Sequence, residues 1–124
     1  LVAILKNVKE EGPGSIEDFL EENSIPFKIF EAELREFPAN LEEYKHLIVL
    51  GGPMGVYEMD RYPNLKRVAK IIEEALVREL KVLGVCLGAQ LLAHVLGGRV
   101  YKGPMPEIGW LDIELTDAGK LTKR

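Results

Sequence analysis

One cysteine, two histidines and one tryptophan are all that the 124 residues hold of those types. A single cysteine forbids an intramolecular disulfide, so Cys86 is a buried apolar filler, a reactive thiol or a metal ligand, and only its surroundings can decide. Basic charge is also scarce: 16 Lys and Arg against 20 Asp and Glu leave a net charge of −4, with the bases dispersed among acids. A nucleic-acid surface needs clustered positive charge to displace counterions from phosphates, so no such partner is expected. No apolar run approaches the roughly 20 residues that span a bilayer. Leu1–Leu5 is too short for the core of a secretory signal, and Lys6, Lys9 and Glu10 follow it at once. These absences lead to an expectation of a cytoplasmic protein without membrane contact. What is present, 47% hydrophobic and 29% charged residues, is ordinary for one globular domain covering residues 1–124.

Hydrophobic periodicity along the chain alternates between strand and helix. Leu1–Leu5 predicts a strand that ends in the glycine- and proline-containing loop to Gly14. Ser15 reads as a helix N-cap with Asp18 at its N3 position, and Ile16, Phe19 and Leu20 form the apolar stripe of a helix reaching about Asn23. Phe27–Phe30 predicts a second strand and Leu47–Leu50 a central one buried on both faces. From Asn64 to Leu80, apolar residues at 65, 68, 69, 72, 75 and 76 follow helical spacing. Val82–Val85 predicts another strand, Cys86–Leu96 a buried helix stopped by Gly97 and Gly98, Arg99–Lys102 a short strand, and Trp110–Leu115 a strand-like alternation before a turn at 116–119. Strands and helices alternating in this way predict a doubly wound, mostly parallel α/β sheet of the flavodoxin-like or Rossmann-like type, with helices on both faces. Ligand sites in such sheets lie beyond the carboxyl ends of the strands, where the glycine-rich stretches 51–55 and 84–88 both fall.

The stretch Gly84-Val85-Cys86-Leu87-Gly88 has the arrangement in which a tight strand-to-helix turn lifts a nucleophile above the sheet. Glycines two positions to either side clear room for that turn. Cys86 also stands at a helix N-terminus, whose dipole favours an anionic sulfur. These features favour the reactive thiol over the filler. Gly51–Gly55 reads as an ordinary turn, an oxyanion-binding loop or a phosphate cradle, and the last is disfavoured because no Walker lysine follows.

Taken together, Glu-Gly-Pro-Gly at 11–14, Gly-Gly-Pro-Met-Gly at 51–55, Gly-Val-Cys-Leu-Gly-Ala-Gln at 84–90 and Glu-Ile-Gly-Trp at 107–110 resemble the class I (triad) glutamine amidotransferase domain, in its GMP synthase-like branch. The resemblance implies that Cys86 forms a γ-glutamyl thioester and releases ammonia from glutamine to a synthetase partner. It implies oxyanion donation by the backbone N–H groups of Gly52 and Leu87, substrate contact by Gln90, and a substrate-shaping loop of Gly51, Gly52, Pro53 and Gly55. Glu107 and Trp110 are read either as substrate-side residues or as residues capping a strand. No cofactor and no metal is implied.

A thiol amidase also needs a histidine base and a carboxylate to orient it. His94 lies eight residues beyond Cys86 in one helix, about 12 Å along its axis. His46 precedes its strand and so lies at the opposite sheet edge, about 13 Å or more away. The family's His-x-Glu pair follows the Glu-Ile-Gly-Trp segment, so the expectation is that these residues are the N-terminal half of a longer enzyme. The sheet edge so exposed is then expected to promote homo-oligomerisation. Two other functions remain open: a γ-glutamyl peptidase on the same scaffold, and a non-catalytic binding module.

Overall fold

A computed structural model describes residues 1–121. Among these described residues four strands form one sheet: β1 (Val2–Lys6), β2 (Phe27–Glu31), β3 (His46–Val49) and β4 (Lys81–Gly84). Every pairing is parallel and the order is β2-β1-β3-β4. This is the flavodoxin-like arrangement, with a switch point between β1 and β3 where loops leave in different directions. The register sets Val2 opposite Phe27 and His46, and Val49 opposite Gly84.

Alternation along the strands divides the core in two. Ala3, Leu5, Leu47 and Val49 face helices α2 (Pro63–Val77) and α3 (Leu87–Val95), packing with Leu65, Val68, Ile72, Leu87 and Leu91. Val2, Ile4, Ile48 and Leu50 face the other way, beneath Leu20 and Ile16 of α1 (Ser15–Glu22). The strongly apolar β1 and β3 are thus the central pair, as their unbroken hydrophobic runs require. β4 is an edge strand, and Leu83 on the α1 side remains 50% exposed above an apolar groove that also takes in Phe19, Ile25 and Ile48.

Helix termini explain the chain's short loops. α1, α2 and α3 each close with the longer-range bond of a Schellman motif: Ile25 N–H to Leu20 O at 2.8 Å, Leu80 N–H to Ala75 O at 2.9 Å, and Gly98 N–H to Ala93 O at 2.8 Å. The left-handed residue is Gly97 after α3, but Ser24 (φ 54°) after α1 and Glu79 (φ 60°) after α2. In each of those two cases an apolar side chain, Ile25 or Leu80, follows and returns the chain to the core.

Several expectations change at this level. Ser15 does not cap α1; Gly14, at φ 53°, is the capping residue, and no side chain accepts a hydrogen bond there. Arg99–Lys102 and Trp110–Leu115 form no strand. Alternation records a preference for a half-buried pleated surface, and the described residues offer these stretches none, so that residues 101–115 are exposed throughout. A four-residue turn of helix, α4 (Asp117–Lys120), follows, capped by the Thr116 hydroxyl, which accepts from Gly119 N–H at 3.0 Å. The helix expected to be buried all round, α3, packs by one face only: Leu87, Gly88 and Leu91 are buried while Leu96 beyond its end is exposed. No helix is long and apolar enough to cross a membrane among the described residues.

Because Ser24 and Glu79 occupy a conformation that costs an L-residue about 1–2 kcal/mol, Ser24→Gly and Glu79→Gly should each stabilise the protein. The larger chain entropy of glycine offsets part of the gain, so urea denaturation should show about 0.5–1 kcal/mol per substitution. Gly97→Ala should shift the midpoint in the opposite direction.

Candidate active site

Three loops meet at the carboxyl edge of the sheet: residues 7–14 after β1, 50–55 after β3, and the turn from β4 into α3. Cys86 is the residue of that last turn. Its backbone stands at φ 54°, ψ −113°, as N-cap of α3, and the side chain is exposed. Such a conformation costs about 1–3 kcal/mol and persists only where packing fixes both flanks.

Both flanking glycines are required by contact. A Cβ on Gly84 would stand 2.6 Å from the Gly88 carbonyl oxygen, and one on Gly88 would collide with the Val49 carbonyl of β3. The start of α3 therefore lies directly on the sheet. Val85 N–H continues the ladder to Val49 O at 2.9 Å, and Gly88 N–H returns to Val85 O at 2.9 Å, which completes the sharp turn around Cys86.

The glycine loop lies against this turn. A Cβ on Gly51 would be 3.2 Å from the Cys86 Cβ, and a Cβ on Gly52 would be 3.1 Å from Leu87 Cδ2. Neither Gly52 N–H nor Leu87 N–H has an acceptor among the described residues. Pro53 is exposed, at the tip of the loop.

Side chains fasten the loop at both ends. At its entry Asn7, 4% exposed, donates from Nδ2 to Leu50 O at 2.7 Å, while its Oδ1 is buried without a partner. At its exit Gly55 N–H donates to Glu58 Oε1 at 3.1 Å, and Val56 N–H donates to Gln90 Oε1 at 3.0 Å. The family resemblance implies that Gln90 touches substrate; its amide oxygen is engaged by the loop. Sequence reasoning misses Asn7 and Glu58. The Gly55-to-Glu58 spacing, with a carboxylate three residues after a turn, is the signal that could have shown the second of these, whereas the Asn7 contact spans 43 positions and leaves no local trace.

Neither histidine joins the site. His46 is the first residue of β3, opposite Lys81 and thus at the amino edge. His94 is exposed in the last turn of α3, beside Val56, Tyr57 and Lys70. Glu107 and Trp110 lie in the exposed stretch 101–115 and contribute no buried contact. No group of three or more His, Cys, Asp or Glu that could hold a metal forms among the described residues.

A family model described as glutamine amidotransferase class-I matches residues 14–122. The chain belongs to this family. It is 38% identical over 85 residues to a GMP synthase (glutamine-hydrolysing) of Petrotoga mobilis, covering 68% of this chain and 15% of that protein. It is 36% identical over 77 residues to one subunit of the GMP synthase (glutamine-hydrolysing) of Sulfurisphaera tokodaii, covering 62% and 38%. Among solved structures, a glutamine amidotransferase of Thermotoga maritima superposes with a TM-score of 0.79 at 41% identity, covering 83% of this chain and 45% of that one. One from Methylobacillus flagellatus gives 0.80 at 36%, covering 88% and 43%. The chain thus spans less than half the length of each of these relatives.

The bond from Val56 to Gln90 is open to direct test. Gln90→Ala should cost about 1 kcal/mol, the usual worth of a part-buried hydrogen bond. It should also accelerate amide hydrogen exchange at Val56 about fivefold or more, with Val85 unchanged.

Proposed function

We propose that this class I glutamine amidotransferase domain carries the nucleophile half of a glutaminase site, with Cys86 attacking the side-chain amide of glutamine. The observation that carries this reading is the Cys86 turn itself: a thiol held at φ 54°, ψ −113° between two sterically required glycines, facing a second glycine loop. A buried structural cysteine needs none of these constraints.

Cys86 Sγ adds to the amide carbon and the carbonyl oxygen takes up the electron pair as an oxyanion. The unspent N–H groups of Gly52 and Leu87 are its donors. Collapse of this tetrahedral species breaks the C–N bond, and the leaving nitrogen gains a proton and departs as ammonia. Water then opens the thioester, yielding glutamate and regenerating the thiol. Gly51 and Pro53 shape the substrate side of the loop, and Gln90 positions it through Val56.

The proton transfers require a base that neither His46 nor His94 provides, since the topology holds both away from the thiol. A histidine–carboxylate pair from outside the described residues fills that role in this reading. Ammonia passes to a synthetase domain or a separate synthetase chain; the similarity to GMP synthases, one of them divided into subunits, supports such a partner.

In the complete protein, Cys86→Ala should lower glutamine hydrolysis about 10⁴-fold or more, as loss of a nucleophile does elsewhere. Glutamine should protect Cys86 from iodoacetamide. Unchanged hydrolysis in the variant, measured as glutamate released, would refute the assignment.

A further inference from the structure

The parallel ladder between β1 and β3 stops one repeat short of the glycine loop, and it stops on a side chain. Leu5 lies opposite Val49, and Leu50 N–H donates to Leu5 O at 3.0 Å. In a parallel pair every second residue of one strand bonds twice to its neighbour. The next two bonds in this register would run from Asn7 N–H to Leu50 O and from Gly52 N–H to Asn7 O. Neither forms. Leu50 O instead accepts from Asn7 Nδ2 at 2.7 Å, so the carboxamide takes the place of its own residue's backbone donor. Strand β1 accordingly ends at Lys6, and the backbone of residue 7 bends away without presenting its carbonyl to Gly52.

The arrangement is not the one that favours stability most. Asn7 is 4% exposed, and its Oδ1 is buried with no partner among the described residues. A buried acceptor left unpaired is costly. An apolar residue at position 7, with the ladder carried on to Gly52, avoids that cost and gains a backbone bond. What the carboxamide achieves is an unspent N–H at Gly52, which is one of the two donors that the oxyanion requires.

We propose that Asn7 is a positioning residue of the glycine loop: its side chain ends the β1–β3 ladder at Leu50 and so withholds Gly52 N–H from the sheet, leaving it for the substrate's carbonyl oxygen. The inference rests on the thiol reading above and adds to it the device that keeps one donor free.

The test uses the complete protein with Asn7→Ala and Asn7→Val; valine keeps most of the bulk of asparagine and favours a strand. Amide hydrogen exchange is read at Gly52 and Leu50, beside kcat and KM for glutamine and the rate of Cys86 alkylation by iodoacetamide. In the wild type Gly52 should exchange about tenfold or more faster than Leu50, whose N–H is held in the ladder. Either variant should let the ladder close onto Gly52 and slow its exchange about tenfold, whereas loss of a merely structural bond would speed it. kcat should fall about 10²-fold, as for loss of one oxyanion donor, with KM within about threefold of the wild type. Iodoacetamide, whose reaction forms no oxyanion, should alkylate Cys86 at the wild-type rate. Faster exchange at Gly52 in the variants, slowed exchange with kcat unchanged, a fall in alkylation that parallels kcat, or failure of both variants to fold overturns the role of Asn7. Unchanged glutamine hydrolysis by Cys86→Ala overturns the thiol reading instead, while exchange at Gly52 still decides whether Asn7 ends the ladder.

Discussion

The approach of Gly88 to the Val49 carbonyl is the contact on which the rest of this site depends. No side chain fits between the first turn of α3 and β3 there, and none fits between Gly84 and Gly88. With the helix seated directly on the sheet, the chain can pass from β4 into α3 only through a sharp turn, and Cys86 is the residue that takes it. The unfavourable backbone angle at Cys86 costs about 1–3 kcal/mol. Leu87 and Leu91, fully buried against the central strands, each contribute about 1.5–3 kcal/mol. Burial therefore outweighs the local cost, and the thiol stays raised without needing a partner of its own.

Much of this is legible in the sequence because it depends on short-range pattern. Unbroken apolar runs mark β1 as a strand and β3 as a central one, and the helical spacing from 64 to 80 marks α2. Glycines at 84 and 88 around a lone cysteine signal the turn. What fails shares one cause. The alternation at 110–115 and the all-round apolar character of α3 describe surfaces that call for a neighbour, and pattern alone cannot say whether the described residues contain it. They do not, so one face of α3 and the whole of 101–115 lie open.

The fastening of the glycine loop is invisible for a different reason. Asn7, Glu58 and Gln90 reach the loop from three separate elements, and only the second contact is local in sequence. The resemblance implies that Gln90 contacts substrate, and its amide oxygen also accepts from the backbone N–H of Val56. A polar residue in the first turns of a helix can serve both purposes, and only three-dimensional proximity reveals the contact with the loop. The left-handed residues after α1 and α2 are likewise hidden, since Ser24 and Glu79 carry none of glycine's signature.

The bond between Gln90 and Val56 has a mechanical consequence. Gln90 stands one helical turn beyond Cys86, in the helix that Cys86 begins, and Val56 is the first residue past the glycine loop. Tying the two sets the exit of the glycine loop by the position of the helix. Two segments that are 34 positions apart in the chain are thereby joined across the site by one hydrogen bond.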